Sequence, residues 1–398
     1  MFPETIPTSA SNVLTTSSSS NSADVVAPIL RARFNHNGEY AILCKDRSLF
    51  LFNPRTNLCL KEYSGVHARE VRDGCASRDN SKLVSCGGDR GTYVDGRRRM
   101  CSGRFFFWFV CCFCRLASPT LFLLHFFLAV LFLILTLPLS SFFRRRAGVF
   151  VWDVKTGQTI RRFAGHEAFG VNCAKFLLGH ANEESVVASC GFDRNVKFWD
   201  LRSNRQHEAM ETVGQFSDAA MDMTLSGGSK TNEVTACSID GTVRTFDIRK
   251  GELRVDTLLG QQPITAIENS SDDKLVVATL PKTLALMDKA DGEVLQTFSG
   301  FNNDQNVVLR ATFTPDDRHV VLGDAKGDIC VWDLLSNETS NDQPTRIPSA
   351  HAKAVSNVSF HPAASSSSSS NAIDTAAKGI KKHVMLSCAS DGLAKFWS

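Results

Sequence analysis

The stretch SVVASCGFDRNVKFWDLR, Ser185–Arg202, contains an apolar run, a tight polar turn, and a second run that closes on an aromatic residue beside an aspartate. Short β-rich runs bounded by turn residues read as paired strands of a hairpin. The same pattern returns as EVTACSIDGTVRTFDIR (Glu233–Arg249), HVVLGDAKGDICVWDLL (His319–Leu335) and HVMLSCASDGLAKFWS (His383–Ser398). Weaker copies are YAILCKDRSLFLFN (Tyr40–Asn53) and LVVATLPKTLALMD (Leu275–Asp288). In four copies an aspartate stands six residues before the closing aromatic: Asp46 before Phe52, Asp193 before Trp199, Asp240 before Phe246, and Asp391 before Trp397.

Closing residues fall at positions 52, 152, 199, 246, 287, 332 and 397, with spacings of 100, 47, 47, 41, 45 and 65. A period of about 40–45 residues with Gly-His and Trp-Asp marks is the signature of the WD-repeat β-propeller, four strands to a blade. A lone blade cannot bury both of its faces, so blades must stack. The expected fold is therefore all-β, a seven-bladed propeller over residues 28–398. The last spacing is stretched by HPAASSSSSSNAIDTAAKGIKK, a low-complexity loop at 363–382 in blade seven. The chain stops after a third strand of blade seven. The fourth is then expected from the Ser-rich N-terminal tail, residues 1–27, somewhere within Val13–Val26, which would abolish the open edge of the ring.

The spacing of 100 is the anomaly. Blade two reads normally to Arg90 and resumes at Gly148; Asp89 stands 63 residues before Trp152 instead of six. The 57-residue excess matches an insert at 91–147. Removing it leaves GGDRGVFVWD. The apolar run Leu121–Leu137 nearly reaches the roughly 20 residues that span a bilayer. One span there would put blade one and blades three to seven on opposite sides of the membrane, and the ring could not close. Phe, Leu, Ser and Pro codons are pyrimidine-rich, and the insert starts at a Gly-Thr and ends beside an Ala-Gly. We read it as an unspliced intron.

Charge supports the separation. The whole chain carries +3, but the insert holds eight arginines and one acid, which leaves the remainder near −4. The basic total therefore implies no direct nucleic-acid contact. Thirteen cysteines and an N-terminus without a basic, apolar leader point to free thiols in a reducing, intracellular setting.

Three blades repeat a set that invites a catalytic-triad reading: His67, Ser85, Asp89 and Trp152; His166, Ser189, Asp193 and Trp199; His351, Ser387, Asp391 and Trp397. A catalytic site is rarely built three times at equivalent positions. In the WD-repeat family that the chain resembles, such a tetrad is a buried hydrogen-bond network joining the strands of a blade. Cys86, Cys190, Cys237 and Cys388 each stand three residues before a turn aspartate. Placed at one strand position of different blades, they can neither pair nor share a metal. Cys111, Cys112 and Cys114 form a CxxC without a second pair. No phosphate-cradling loop or HExxH is present. The expectation is no catalytic residue, no cofactor and no metal. Arg202 in WDLR and Arg249 in FDIR resemble the motif by which some propellers dock on the adaptor of cullin-4 ubiquitin ligases.

The segments ILRARFNHNGEYAILCKDRSLFLFNPRTNLCLKEYSG, VFVWDVKTGQTIRRFAGH, IDGTVRTFDIRKGEL and LALMDKADGEVLQTFSG together resemble the WD repeat-containing protein 83 family, the mitogen-activated protein kinase organisers. The resemblance covers Ile29 to Trp397 apart from the insert and the Ser-rich loop. It implies a non-catalytic scaffold for spliceosomal components or kinase-cascade members, a monomer within larger complexes and away from membranes once the insert is absent. Departures are the insert, the long blade-seven loop, and Pro281 and Lys326 at two turn-aspartate positions. Residues before the turn aspartate, and those opening each first strand, commonly face one rim. Glu70, Arg72, Phe169, Phe192, Lys353 and Ser390 are the candidate partner-binding residues there, with aromatics and arginine foremost.

Overall fold

The computed structural model describes residues 6–14, 26–89, 91–93, 144–167, 170–177, 184–205, 207–213, 216–226, 233–257, 262–335, 343–362 and 383–398. They form strands and turns, and the strands assemble into seven antiparallel sheets. Blade one spans 29–63, blade two 71–167, blade three 171–213, blade four 220–257, blade five 266–298 and blade six 311–347. Blade seven takes three strands from 355–397 and its fourth from Ala10–Leu14.

Burial explains the strand sequences. Inner strands meet protein on both faces and read as nearly continuous apolar runs: Val171–Leu177 is buried throughout. Outer strands have one wet face and alternate, as in Val294–Phe298. The first strand of each blade neighbours the first strand of the next, and that of blade seven neighbours blade one. Seven apolar clusters fill the seven seams. One of them joins Val84, Phe163 and Val151 of blade two to Phe176, Val187 and Trp199 of blade three. The core is therefore a ring of interfaces, and closing the last one is the condition for burying any blade's both faces.

The closing strand starts three residues before the expected Val13–Val26 window and overlaps it at Val13 and Leu14. Ala10–Leu14 pairs antiparallel with the last strand, Ala10 opposite Trp397 and Leu14 opposite Ala394. Its anchors decide the register: Leu14 enters the seam between blades seven and one, and Ile6 the seam between blades six and seven. The Ser/Thr-rich run that follows Leu14 offers no comparable apolar anchor.

Two compact units divide the chain, Met1–Arg90 with Ala147–Ser398, and Gly91–Arg146. Of the second, the described residues are Gly91–Tyr93 and Arg144–Arg146. They pair antiparallel with each other, Gly91 opposite Arg146 and Tyr93 opposite Arg144. Among the described residues no helix is long and apolar enough to cross a membrane; Leu121–Leu137 lies outside them, as do Cys111, Cys112, Cys114 and the 363–382 loop.

A local irregularity recurs at the start of the first strands. The register shifts between Ile29 and Arg31, Val71 and Asp73, Val171 and Cys173, Ala220 and Asp222, and Val355 and Asn357. Bulges of this kind re-aim the side chain that follows. The residues after the shift are the ones that meet at the centre of the ring.

Candidate functional site

The three repeated sets come together in space. In blade two, His67 Nδ1 lies 2.5 Å from Asp89 Oδ2, its Nε2 lies 2.7 Å from Ser85 Oγ, and Trp152 Nε1 donates to the same oxygen at 2.8 Å. Blade three repeats this at 2.9, 2.6 and 2.7 Å through His166, Asp193, Ser189 and Trp199. Blade seven does so at 3.0, 2.7 and 2.9 Å through His351, Asp391, Ser387 and Trp397. Asp89 also accepts the backbone N–H groups of Ala68 and Arg69. The chain links an indole on the third strand, a serine on the second and a histidine that precedes the first strand, in a loop for His67 and His351 and at the end of blade two's outer strand for His166. All three serine residues are fully buried, each oxygen is already engaged by indole and imidazole, and both nitrogens of every ring are occupied. Such an arrangement satisfies buried polar groups; it gives no substrate a path to the serine oxygen.

Its electrostatics fit the same purpose. Burial works against an ionised Asp193, but the hydrogen bond from His166 and the charges of His166 and Lys197 outweigh it and bring the carboxyl down to about 2. Lys197 Nζ stands 2.8 Å from Asp193 Oδ2. For His351 the burial penalty exceeds the pull of Asp391, and the ring is held below its usual range.

On the rim, three of the candidate residues form one group at the boundary of blades two and three. Arg72 donates to Glu70 at 2.9 Å and to Asn172 at 2.8 Å, and its guanidinium stacks 5.0 Å from the centre of the Phe192 ring. Asn172 carries the connection on to the Ala220 carbonyl of blade four. Gly170, with φ of 129°, lies so close that a β-carbon there would meet the Gly87 carbonyl at 2.9 Å. Lys353 is exposed and Ser390 half-buried, both in blade seven; the structure does not bring them to the Arg72 group. Phe169 lies outside the described residues.

The centre of the ring holds a charged cluster absent from the sequence-based candidates. Arg31 of blade one donates through both terminal nitrogens to Asp222 of blade four, at 3.2 and 3.3 Å, and its Nε stands 3.2 Å from Asp73 of blade two. Arg33 shares Asp73 at 3.4 Å and Arg310 of blade six shares Asp222 at 3.3 Å. Cys173 of blade three donates its thiol to Asp73 at 3.0 Å. Burial opposes charge on Asp222, yet Arg31 and Arg310 hold its carboxyl far below the usual range. Arg31 thus spans the ring between blades that share no seam. A cavity of about 150 Å³ adjoins it, bounded by Arg33, Glu268 and Asn357 among others.

Comparison with known proteins agrees with this architecture. The model of the WD domain, G-beta repeat, matches residues 157–200, the outer strand of blade two and most of blade three. The WD repeat domain-containing protein 83 homolog of Dictyostelium discoideum is 25% identical over 243 residues, 54% of this chain and 70% of that protein. WD repeat domain-containing protein 83 of Rattus norvegicus is 30% identical over 161 residues, 40% of this chain and 47% of that one. The chain is a WD-repeat propeller similar to the WD repeat domain-containing protein 83 proteins. The U5 small nuclear ribonucleoprotein 40 kDa protein of Pongo abelii is a further relative, 25% identical over 217 residues, 53% of this chain and 56% of its own length. In most of these comparisons the chain spans about half the length of the curated relatives it matches.

Within this WD-repeat chain, blade six shows how the tetrad is replaced. Lys326 occupies the turn-aspartate position and Phe301 the histidine position. Trp332 then donates to the Ser299 carbonyl at 3.2 Å, and Phe301 meets its ring edge-on at 6.2 Å. A buried indole N–H still finds an acceptor. Arg202 and Arg249 sit at equivalent turns of blades three and four. Both are exposed, and Arg202 folds back on Asp200 at 3.2 Å. Among the described residues no group of histidines, cysteines and acids is placed to hold a metal ion. The central cluster did have a sequence signal: a charge inside an otherwise apolar first strand, in ILRARF, VRDGCA and AMDMTL. WD-repeat propellers of this kind serve as protein-interaction scaffolds.

Proposed function

We propose that this propeller is a scaffold for spliceosomal proteins. The observation that carries the reading is the similarity to the U5 small nuclear ribonucleoprotein 40 kDa protein across about half of each chain, together with the resemblance to the protein 83 family. The Glu70–Arg72–Phe192 group supports a protein contact: an arginine stacked on an aromatic ring is the composition of interface hot spots. The partners are proteins, in the nucleus and the cytoplasm, and the polar groups of the tetrads hold the blades rather than act on substrate.

Affinity purification of the tagged chain from nuclear extract tests this. Spliceosomal proteins are the expected co-purifying set, reduced by Arg72→Ala. Kinase-cascade components in their place would shift the assignment to the second setting the family resemblance implies. Recovery of a cullin-4 ligase adaptor, lost on replacing Arg202 and Arg249 with alanine, would overturn the scaffold assignment in favour of a substrate receptor.

A further inference from the structure

The central channel changes character one step further along the same strands. Two residues beyond Arg31, Asp73, Cys173 and Asn357 stand Arg33, Cys75, Lys175 and Ser359. Cys75, Lys175 and Ser359 border a second cavity, of about 330 Å³, on the side of the ring where the first strand of each blade turns into the second. Its walls include Phe34, Phe176, Leu225 and Phe360. A volume of this size lies at the lower end of ligand-binding pockets.

One cation there lacks a counter-charge of its own. Lys175 is 6% exposed, and among the described residues its ammonium meets neither a hydrogen-bond acceptor nor an ion-pair partner. Arg33, two residues beyond Arg31, borders the adjoining cavity and reaches Asp73 through Nε. Asp73 and Asp222 are committed to Arg31, Arg310 and Cys173; Glu184 borders the same cavity together with Arg78, whose backbone N–H it accepts, and does not reach Lys175. Glu268 borders the adjoining cavity instead. Burying an unpartnered charge is costly, and folds keep such groups where something completes them.

We propose that this mouth of the channel binds an acidic side chain of a partner protein flanked by apolar residues, the carboxylate meeting Lys175 while its neighbours pack on Phe34, Phe176 and Phe360. The aromatic walls select a peptide over a free anion, because an anion alone would leave them uncovered. This deepens the scaffold reading and rests on it.

Selection of a phage-displayed library of random dodecamer peptides on the full chain tests the site. Enriched sequences should carry Asp or Glu beside Leu or an aromatic residue. Lys175→Met should weaken the best peptide at least tenfold, and Asp→Asn or Glu→Gln in the peptide should do the same. The variant should also melt at an equal or higher temperature than the parent, since it removes an unpartnered buried charge; this separates lost binding from lost folding. A failed selection, enriched peptides without an acid, or equal affinity for Lys175→Met would each overturn the proposal. Displacement of the peptide by inorganic phosphate at equal concentration would overturn it in favour of a phosphate ligand. If Lys175→Met still purifies with spliceosomal proteins while no peptide binds the parent, the channel site fails and the scaffold reading survives.

Discussion

Ser189 accepts the indole hydrogen of Trp199 at 2.7 Å and sits 2.6 Å from His166 Nε2. Removing its oxygen strands two buried partners at once. Ser189→Ala should therefore cost about 1–3 kcal/mol, read as a lower urea midpoint with an unchanged slope, and Ser387→Ala should cost a similar amount. Leu322 holds the equivalent place in blade six and its indole already bonds to a carbonyl, so Leu322→Ala should behave as a cavity substitution instead. Arg31 is a different case. It neutralises two fully buried carboxylates from opposite parts of the ring. Arg31→Met leaves Asp73 and Asp222 without their main counter-charge, and a loss of about 3–5 kcal/mol is expected. The double replacement Asp73→Asn with Asp222→Asn should be milder than Arg31→Met alone. A milder Arg31→Met would mean that Arg33 and Arg310 suffice.

Strands carry the next set of consequences. The short strand Ala10–Leu14 lies some 380 residues from its partner and closes the whole ring. Leu14→Ala should lower stability by about 2–5 kcal/mol, more than substitutions of the exposed Leu58 or Leu295 on other outer strands. Deleting residues 1–14 should leave the last blade with an open edge, seen as concentration-dependent aggregation on light scattering. That a tail segment must complete blade seven was legible from the chain stopping after a third strand. Its position was not, because strand propensity alone does not say which apolar residue drops into a seam. The bulges are similar. ILRARF shows a charge in an apolar strand, but a register shift is visible only when the neighbouring strand is in place.

At the scale of the molecule, protonation links the blades. His36, His319, His351 and His361 are all held below their usual value, with burial the leading cause in each. A depressed histidine binds its proton more readily in the unfolded chain, so its contribution is complete above about pH 6.5 and is lost as the pH falls through that value toward the folded one. Asp193, brought to about 2, adds a second window: its contribution is present above about pH 3.9 and disappears as the pH falls from there through 2. The melting temperature should therefore drop between pH 7.5 and 5.5, then fall again below pH 4. A flat profile over the first interval would contradict the histidine assignment. Excision of residues 91–147 belongs to this scale too. The excised chain should melt at the same temperature or above and aggregate less, and the intron reading predicts a messenger RNA shorter by those 57 codons.

Seven blades, their order and the three tetrads were determined by the sequence itself. Each is a local pattern repeated at a fixed interval: an apolar strand, a turn aspartate six residues before an aromatic, a strand position that alternates in and out. Hydrophobic periodicity and turn chemistry act over a few residues, and the repeat multiplies that short-range signal until the ring follows. What only the tertiary structure decided are the things the ring brings together from afar. Arg31 meets Asp222 across 191 residues of sequence, Arg72 meets Phe192 and Asn172, and Lys175 comes to border one cavity with Phe34 and Phe360. None of these pairs shares a blade. Their geometry depends on how seven blades share a circle and on the bulges that turn side chains toward its centre, and neither is encoded in any one repeat.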